Sequence, residues 1–164
     1  MKTVIITGSA RGFGYEMIKL FRNNNFNTVI CDIDENALNT AKEELEKENG
    51  NGKVLAIQAD VTNESDVQNL VDETLKNVET IDIFINNAGV NQPYKPIWEV
   101  DTKSIDRLID IDLKGTILCS KLIMPIMIKQ GYGQIFNVEG YGSNDAKSVG
   151  LSIYGTTKRA VTYF

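Results

Sequence analysis

The sequence predicts a three-layer α/β fold with a doubly wound parallel sheet. Short apolar runs rich in β-branched residues alternate with longer segments of helical periodicity, in the order βαβαβαβαβα. A turn with three glycines directly follows the first apolar run. No repeat or proline-rich linker divides the chain, so we expect one domain over residues 1–164.

The strand predictions rest on continuous apolar runs without alternation, the pattern of parallel strands buried on both faces. These runs are Thr3–Thr7, Thr28–Asp32, Val54–Gln58, Ile81–Ile85 and Gln134–Val138. Helices are predicted between and after them, near residues 12–24, 35–48, 64–78, 102–130 and 153–164. Flavodoxin-like, receiver-like and methyltransferase-like sheets share this order of elements, so the motifs must decide between them.

Composition excludes several classes of function. The net charge is −5 and no basic stripe is present, which argues against nucleic acid and anionic membranes as partners. With no histidine, Ser-His-Asp and Cys-His catalysis and histidine metal sites are excluded, and we predict no metal. Cys31 and Cys119 lie in apolar runs, which fits a reducing compartment, and no run resembles a signal peptide or membrane span. We therefore expect a cytoplasmic protein.

The glycine-rich turn predicts a phosphate site. Gly8 permits a tight turn, Gly12 lets the backbone approach a ligand, and Gly14 allows close packing of helix on strand. The helix that follows offers free N–H groups and a positive dipole to a pyrophosphate. The candidate cofactor residues in this turn are Thr7, Gly8, Ser9, Arg11, Gly12, Phe13 and Gly14.

Asp32 predicts which dinucleotide binds. It ends the second predicted strand, where a carboxylate can accept hydrogen bonds from the adenosine ribose hydroxyls and repel a 2′-phosphate. This favours NAD(H) over NADP(H). Arg11 is the opposing feature, because its guanidinium could pair with a phosphate.

Four motifs, in this order and at these intervals, resemble the short-chain dehydrogenase/reductase family over essentially the whole chain. They are Thr7–Gly14, Asp60-Val61, Asn86–Gly89, and Tyr154 with Lys158. The resemblance implies a single NAD(P)-binding Rossmann domain. In it, Asp60 and Val61 frame the adenine, Asn86 braces the centre of the sheet, and the residues along the cofactor ribose are Asn87, Ala88 and Gly89.

Tyr154 and Lys158 are spaced four residues apart, so both side chains lie on one helical face. A free tyrosine titrates near pH 10, and a cation close by favours the phenolate and lowers the pKa. The resemblance implies that Tyr154 is the general acid/base and also a cofactor-binding residue, and that Lys158 also binds the nicotinamide ribose.

Two positions depart from the family pattern. Gly140 stands where the family has a serine that hydrogen-bonds the reacting oxygen, and we expect Ser143 to replace it as the oxyanion donor. Asp112 stands where the family has an asparagine. It could orient a water or pair with Lys158, which would weaken the pull of the lysine on Tyr154.

The segment Asn137–Ser143 resembles the branch of the family that includes chlorophyll b reductases. Two functions stay open: an oxidoreductase that moves hydride between NAD(H) and a secondary alcohol or carbonyl substrate, and a non-catalytic dinucleotide-binding or regulatory module. The family continues with further strands and a substrate lid, so we expect this fold to be truncated at its C-terminus. The resemblance also implies a homodimer or homotetramer formed through helices 102–130 and 153–164.

Overall fold

The computed structural model describes all residues, Met1–Phe164, as a five-stranded parallel sheet with helices on both faces. The strands are β1 (Thr3–Thr7), β2 (Asn27–Asp32), β3 (Val54–Gln58), β4 (Ile83–Asn86) and β5 (Gln134–Asn137). The α-helices are α1 (Gly12–Asn23), α2 (Glu35–Leu45), α3 (Glu64–Asn77), α4 (Thr102–Leu108), α5 (Thr116–Gln130) and α6 (Ser152–Tyr163). A short 3₁₀ turn spans Ile97–Glu99.

The strand order is β3-β2-β1-β4-β5, and every pair is parallel. The chain winds outward from β1 to β3 and then returns to the other side of β1 with β4. The carboxyl ends of β1 and β4 therefore meet at the point where the winding direction reverses, the usual ligand position in such sheets. This confirms the predicted doubly wound architecture.

Two apolar clusters hold the helices against the sheet. Val4 and Ile6 face α1 and α2, while Ile5 faces the opposite layer, which contains α3 and α5. Both neighbours of β1 are strands, so all five of its residues are buried. Cys31 and Cys119 are free thiols buried within the α3–α5 layer.

The predicted helix over residues 102–130 is helical throughout but is divided. A π-helical segment, Ile109–Gly115, separates α4 from α5. Gly115 packs closely on Val61, because a Cβ there would lie 2.8 Å from Cγ2 of that valine. Single π turns inside α-helices often lie at functional sites. No helix of the protein has both the length and the apolar character needed to cross a membrane.

The fourth strand begins later than predicted. Ile81 lies outside β4 because its amide and carbonyl bond to the side chain of Gln130 instead of to a strand. Asp82 links this segment to the sheet, since its amide donates to the Thr3 carbonyl and its carboxylate accepts from the Thr3 amide. At its other end the strand includes Asn86, whose Nδ2 donates to Asn137 on β5 (2.9 Å) and Ser120 on α5 (3.0 Å). This confirms that Asn86 braces the centre of the sheet.

Candidate active site

A cleft of about 900 Å³ lies along the carboxyl edge of the sheet. It runs from the glycine-rich turn after β1, past the ends of β2 and β3, to the loop after β4. The predicted cofactor residues that line it are Gly8, Arg11, Gly12, Phe13, Gly14, Asp32, Asp60, Val61, Asn87, Ala88 and Gly89. The structure thus brings together residues from four strand ends in one elongated groove.

The glycine turn has the backbone that its sequence predicts. Gly8 and Gly12 adopt φ values of +61° and +62°, in the left-handed region that disfavours other residues. Gly14 is required for space, since a Cβ there would lie 2.6 Å from both Nδ2 of Asn87 and the carbonyl oxygen of Gly8. Nothing lies within 4 Å of the position of a Cβ on Gly12, so its backbone faces open cleft.

Thr7 and Ser9 lie behind the cleft rather than in its lining. Both are buried, and their hydroxyls bond to the protein itself: Thr7 Oγ1 accepts from the amides of Asn87 and Ala88, and Ser9 Oγ donates to the Ile6 carbonyl. Both hydroxyls thus support the turn from below, and a contact of Thr7 or Ser9 with a cofactor stays a prediction.

Asp32 lies at the end of β2, as predicted, and lines the cleft. Its carboxylate accepts from the amides of Ala10 (3.4 Å) and Asp34 (3.2 Å), which ties the glycine turn to the start of α2. The Arg11 guanidinium lies 3.6 Å from the Asp34 carboxylate, so its charge is partly matched inside the protein.

Lys158 and Asp112 form a buried charged pair beside Tyr154. The Lys158 ammonium lies 3.8 Å from Oδ2 of Asp112, 3.3 Å from the Val138 carbonyl and 5.6 Å from the centre of the Tyr154 ring. Oδ1 of Asp112 accepts from the Val90 amide at 2.8 Å, whereas Oδ2 has no hydrogen bond. The expected pairing of Asp112 with Lys158 is confirmed.

The pKa of Tyr154 departs from the sequence prediction. Burial raises the pKa of its phenol, and the negative charge of Asp112 raises it further. Burial also raises the pKa of the Asp112 carboxyl, against the lowering effects of the Val90 amide and Lys158. The net shift of the Tyr154 pKa is therefore upward, opposite to the direction expected from the nearby lysine, because desolvation and the charge of Asp112 dominate.

Gly140 lies directly against Tyr154. The tyrosine hydroxyl fills the space that a Cβ at position 140 would occupy. Ser143 lies on the loop that follows and is 8% exposed. Its amide donates to the Gly140 carbonyl at 3.1 Å and its carbonyl accepts from Arg159 at 2.7 Å, which fixes the loop backbone. Its role as oxyanion donor stays a prediction.

Several site residues were missed in the sequence. Eight further residues line the cleft: Ile33, Ala59, Thr62, Val90, Asn91, Arg107, Asp110 and Ile111. The first five lie in the loops that follow β2, β3 and β4, a signal that could have identified them. Gln92 was also missed; it is buried beside Tyr154 and belongs to no motif.

The residues present fit a dinucleotide. The open space over Gly12 admits a phosphate close to the backbone, and the acid at the end of β2 suits ribose hydroxyls. At the far end, Oδ1 of Asp112 and the Lys158 ammonium lie next to Gly89, 3.4 Å and 3.5 Å from the position of a Cβ on that glycine.

Comparisons with known proteins point the same way. A family model described as short chain dehydrogenase matches residues 2–164. Chlorophyll(ide) b reductase NOL, chloroplastic, of Arabidopsis thaliana is 36% identical over 162 residues, which cover 98% of this chain and 46% of that protein. L-fucose dehydrogenase of Oryctolagus cuniculus is 33% identical over 161 residues, covering 98% of this chain and 54% of its own. The resemblance to the chlorophyll b reductase branch is confirmed.

Solved structures show the same architecture. A short chain dehydrogenase/reductase from Burkholderia phymatum in complex with NAD superposes with a TM-score of 0.91 at 26% identity, over 99% of this chain and 57% of that one. A 3-ketoacyl-(acyl-carrier-protein) reductase from Brucella melitensis complexed with NADH superposes with a TM-score of 0.88 at 28% identity, over 98% of this chain and 65% of that one. The chain spans about half the length of the curated relatives it matches.

Proposed function

Because the chain belongs to the short chain dehydrogenase family, we propose that it is the cofactor-binding and catalytic part of an oxidoreductase that interconverts a secondary alcohol and a carbonyl compound with NAD(H). The observation that carries this proposal is the contact between the cleft and the Lys158 side chain: its ammonium lies 3.5 Å from the position of a Cβ on Gly89, which lines the cleft, and 5.6 Å from the centre of the Tyr154 ring. The named relatives, a chlorophyll(ide) b reductase and an L-fucose dehydrogenase, are dehydrogenases or reductases by description.

In the proposed reaction, Tyr154 is the acid/base. A bound dinucleotide would supply or accept the hydride. The residues that would hold it are Gly8, Gly12, Gly14, Asp32, Asp60, Val61, Asn87, Ala88, Gly89 and Lys158. In the reducing direction, the phenol donates its proton to the carbonyl oxygen as the carbonyl carbon gains hydride. The phenolate that remains is stabilised by the Lys158 ammonium until solvent returns a proton. Ser143 is proposed as the donor to the developing oxyanion.

Turnover tests this mechanism. We expect NADH oxidation with at least one member of a panel of ketones and aldehydes, and a loss of about 10²–10⁴-fold in kcat for Tyr154→Phe. The affinity for NADH should change far less than kcat, because the other proposed cofactor residues, from the glycine turn to Lys158, are retained. Ser143→Ala should lower kcat about 10²-fold if its hydroxyl is the oxyanion donor. Equal turnover by the protein and Tyr154→Phe would contradict the proposal.

The cofactor preference is proposed as NAD(H) over NADP(H). It is supported by the carboxylate of Asp32 in the cleft and by the Arg11–Asp34 contact at 3.6 Å, which engages the one cation of the glycine turn. Asp32→Asn keeps an acceptor for the turn but removes the charge. It should weaken NADH about tenfold in a fluorescence titration and strengthen NADPH. Asp72→Asn, on α3 outside the cleft, should change neither affinity.

The alternative is a dinucleotide-binding or regulatory module without turnover. It is favoured by Gly140 in place of a serine and by the raised pKa of Tyr154. Tight NADH binding without Tyr154-dependent turnover of any carbonyl would support this alternative over the enzyme.

We also propose a homodimer or homotetramer and a cytoplasmic location. The oligomer is supported by apolar side chains exposed on α5, of which Ile128 is 77% and Met124 is 46% exposed. The location is supported by two free, buried thiols. Light scattering of Ile128→Glu beside the unmodified protein tests the first proposal, and cell fractionation tests the second.

A further inference from the structure

Gln92 makes three hydrogen bonds to one segment of the chain. It lies in the loop after β4 and is 5% exposed. Its Oε1 accepts from the amides of Ile153 (2.9 Å) and Tyr154 (3.0 Å), and its Nε2 donates to the Gly150 carbonyl (2.9 Å). All three partners belong to the start of α6 or the loop that leads into it.

Helix α6 lacks a cap of its own. Leu151 precedes it and makes no side-chain capping bond, so the first N–H groups of the helix have no local partner. Gln92 satisfies two of them from a position 61 and 62 residues earlier in the chain. The amide of Tyr154 is therefore held by a distant loop, whereas its carbonyl accepts from Thr157 within the helix.

The same loop also contacts the other parts of the site. The Val90 amide donates to Asp112 at 2.8 Å, and Asn91 lines the cleft. Three consecutive residues thus touch the buried acid, the cleft and the start of the tyrosine helix. A displacement of this loop would move Tyr154 relative to the cleft.

We propose that Gln92 is a positioning residue that sets where the Tyr154 hydroxyl lies relative to the loop Gly89–Asn91. The inference rests on the proposed oxidoreductase function. It assigns a role to a side chain that forms its hydrogen bonds only with Gly150, Ile153 and Tyr154, and it accounts for a buried amide whose three bonds all go to the backbone at the start of the tyrosine helix.

The test compares three variants of the full-length protein. Gln92→Met has a similar shape but makes none of the bonds, whereas Gln92→Glu keeps an oxygen that accepts from the two amides and loses only the donor to the Gly150 carbonyl. Gln130→Met is the matched control. Gln130 also makes three hydrogen bonds to backbone groups, with Ile81 (2.9 and 3.0 Å) and Tyr132 (3.3 Å), but at the opposite end of β4.

We expect Gln92→Met to lower kcat about 10–100-fold while the NADH dissociation constant stays within twofold. Gln92→Glu should recover most of the lost kcat, and Gln130→Met should lose stability without losing kcat. Amide exchange followed by NMR should accelerate at Ile153 and Tyr154 in Gln92→Met alone.

Two results would overturn the inference. One is unchanged exchange at Ile153 and Tyr154 in Gln92→Met, and the other is a kcat that falls equally in Gln92→Met and Gln130→Met. If the unmodified protein turns over no carbonyl, the proposed function fails, and amide exchange alone then decides whether Gln92 holds the Tyr154 segment.

Discussion

The Tyr154 hydroxyl occupies the space that a Cβ on residue 140 would need, so only a glycine fits at this position. Any side chain at position 140 would displace the phenol, since its Cβ would also lie 3.0 Å from Cζ of Tyr154 and 3.2 Å from Cγ of Lys158. The glycine is therefore matched to this position of the tyrosine. It is not simply a serine that has been lost.

Substitution at position 140 tests this match. A serine restores the residue typical of the family, yet we expect Gly140→Ser to lower kcat about 10²-fold because it displaces the phenol. Gly140→Ala adds the same Cβ without a hydroxyl and should be equally impaired. Steady-state turnover measures both. If the serine variant were faster than the native protein while the alanine variant was slower, a missing oxyanion donor would be the correct explanation instead.

Asp112 contributes to the pH dependence of the site. Burial raises the pKa of Tyr154 and the negative charge of Asp112 raises it further, so we expect removal of the charge to lower that pKa. Alcohol oxidation requires the phenolate, so its rate rises as pH approaches the tyrosine pKa. For Asp112→Asn, which retains an acceptor for the Val90 amide, we expect this rise at lower pH than in the native protein.

The measurement is kcat/KM for alcohol oxidation against pH. Asp106→Asn, an exposed acid on α4, is the control and should leave the profile unchanged. Coincident profiles for native protein and Asp112→Asn would show that the carboxylate does not act on the phenol.

At the scale of elements, one hydroxyl joins the two central strands where the cleft opens. Thr7, at the end of β1, accepts from the amides of Asn87 and Ala88 after β4, each at 3.0 Å. Asn87 returns two bonds from Nδ2 to the carbonyls of Thr7 and Gly8. The floor of the cleft is therefore a hydrogen-bonded junction between strand ends.

Removing this hydroxyl leaves buried N–H groups without a partner. We expect Thr7→Val to lower the free energy of unfolding by about 2 kcal/mol and to weaken NADH binding, because the turn loses its support. Urea denaturation measures the first effect and fluorescence the second. Thr7→Ser keeps the hydroxyl and should cost less than half as much; equal losses in both variants would assign the effect to the methyl group.

The elements differ in how well their sequences predict them. Buried strands such as β1 can be predicted from the sequence because every residue is apolar or small. The glycine turn can be predicted because Gly8 and Gly12 have the positive φ that favours glycine. The π segment between α4 and α5 was not predictable, because it depends on Asp112 reaching the Val90 amide and Gly115 packing on Val61. The role of Gln92 likewise depends on a contact between distant segments.

The direction of the Tyr154 pKa was missed for a related reason. The spacing of Tyr154 and Lys158 identifies a pair on one helical face, but burial and the charge on a different element decide the outcome. Local spacing predicts neighbours, whereas desolvation is a property of the assembled site.

For the whole molecule, the cleft draws on the ends of four strands, so a ligand in it contacts both halves of the sheet. Such a ligand stabilises the folded state by mass action, by about 2.7 kcal/mol at a concentration one hundred times its dissociation constant. We expect NADH at that level to raise Tm by about 5–10 °C in a thermal melt. The shift should be smaller in Asp32→Asn, and no shift with either NADH or NADPH would show that the cleft is not a dinucleotide site.

The two buried thiols can be used to measure how often the folded protein opens. Cys31 and Cys119 are 0% and 1% exposed, and burial raises the pKa of both, that of Cys119 to about 12. Because only an accessible thiolate attacks a disulfide reagent, the native protein does not react with such a reagent. The rate at which the two thiols react therefore measures how often the layer of β2 and α5 opens, without any engineered cysteine.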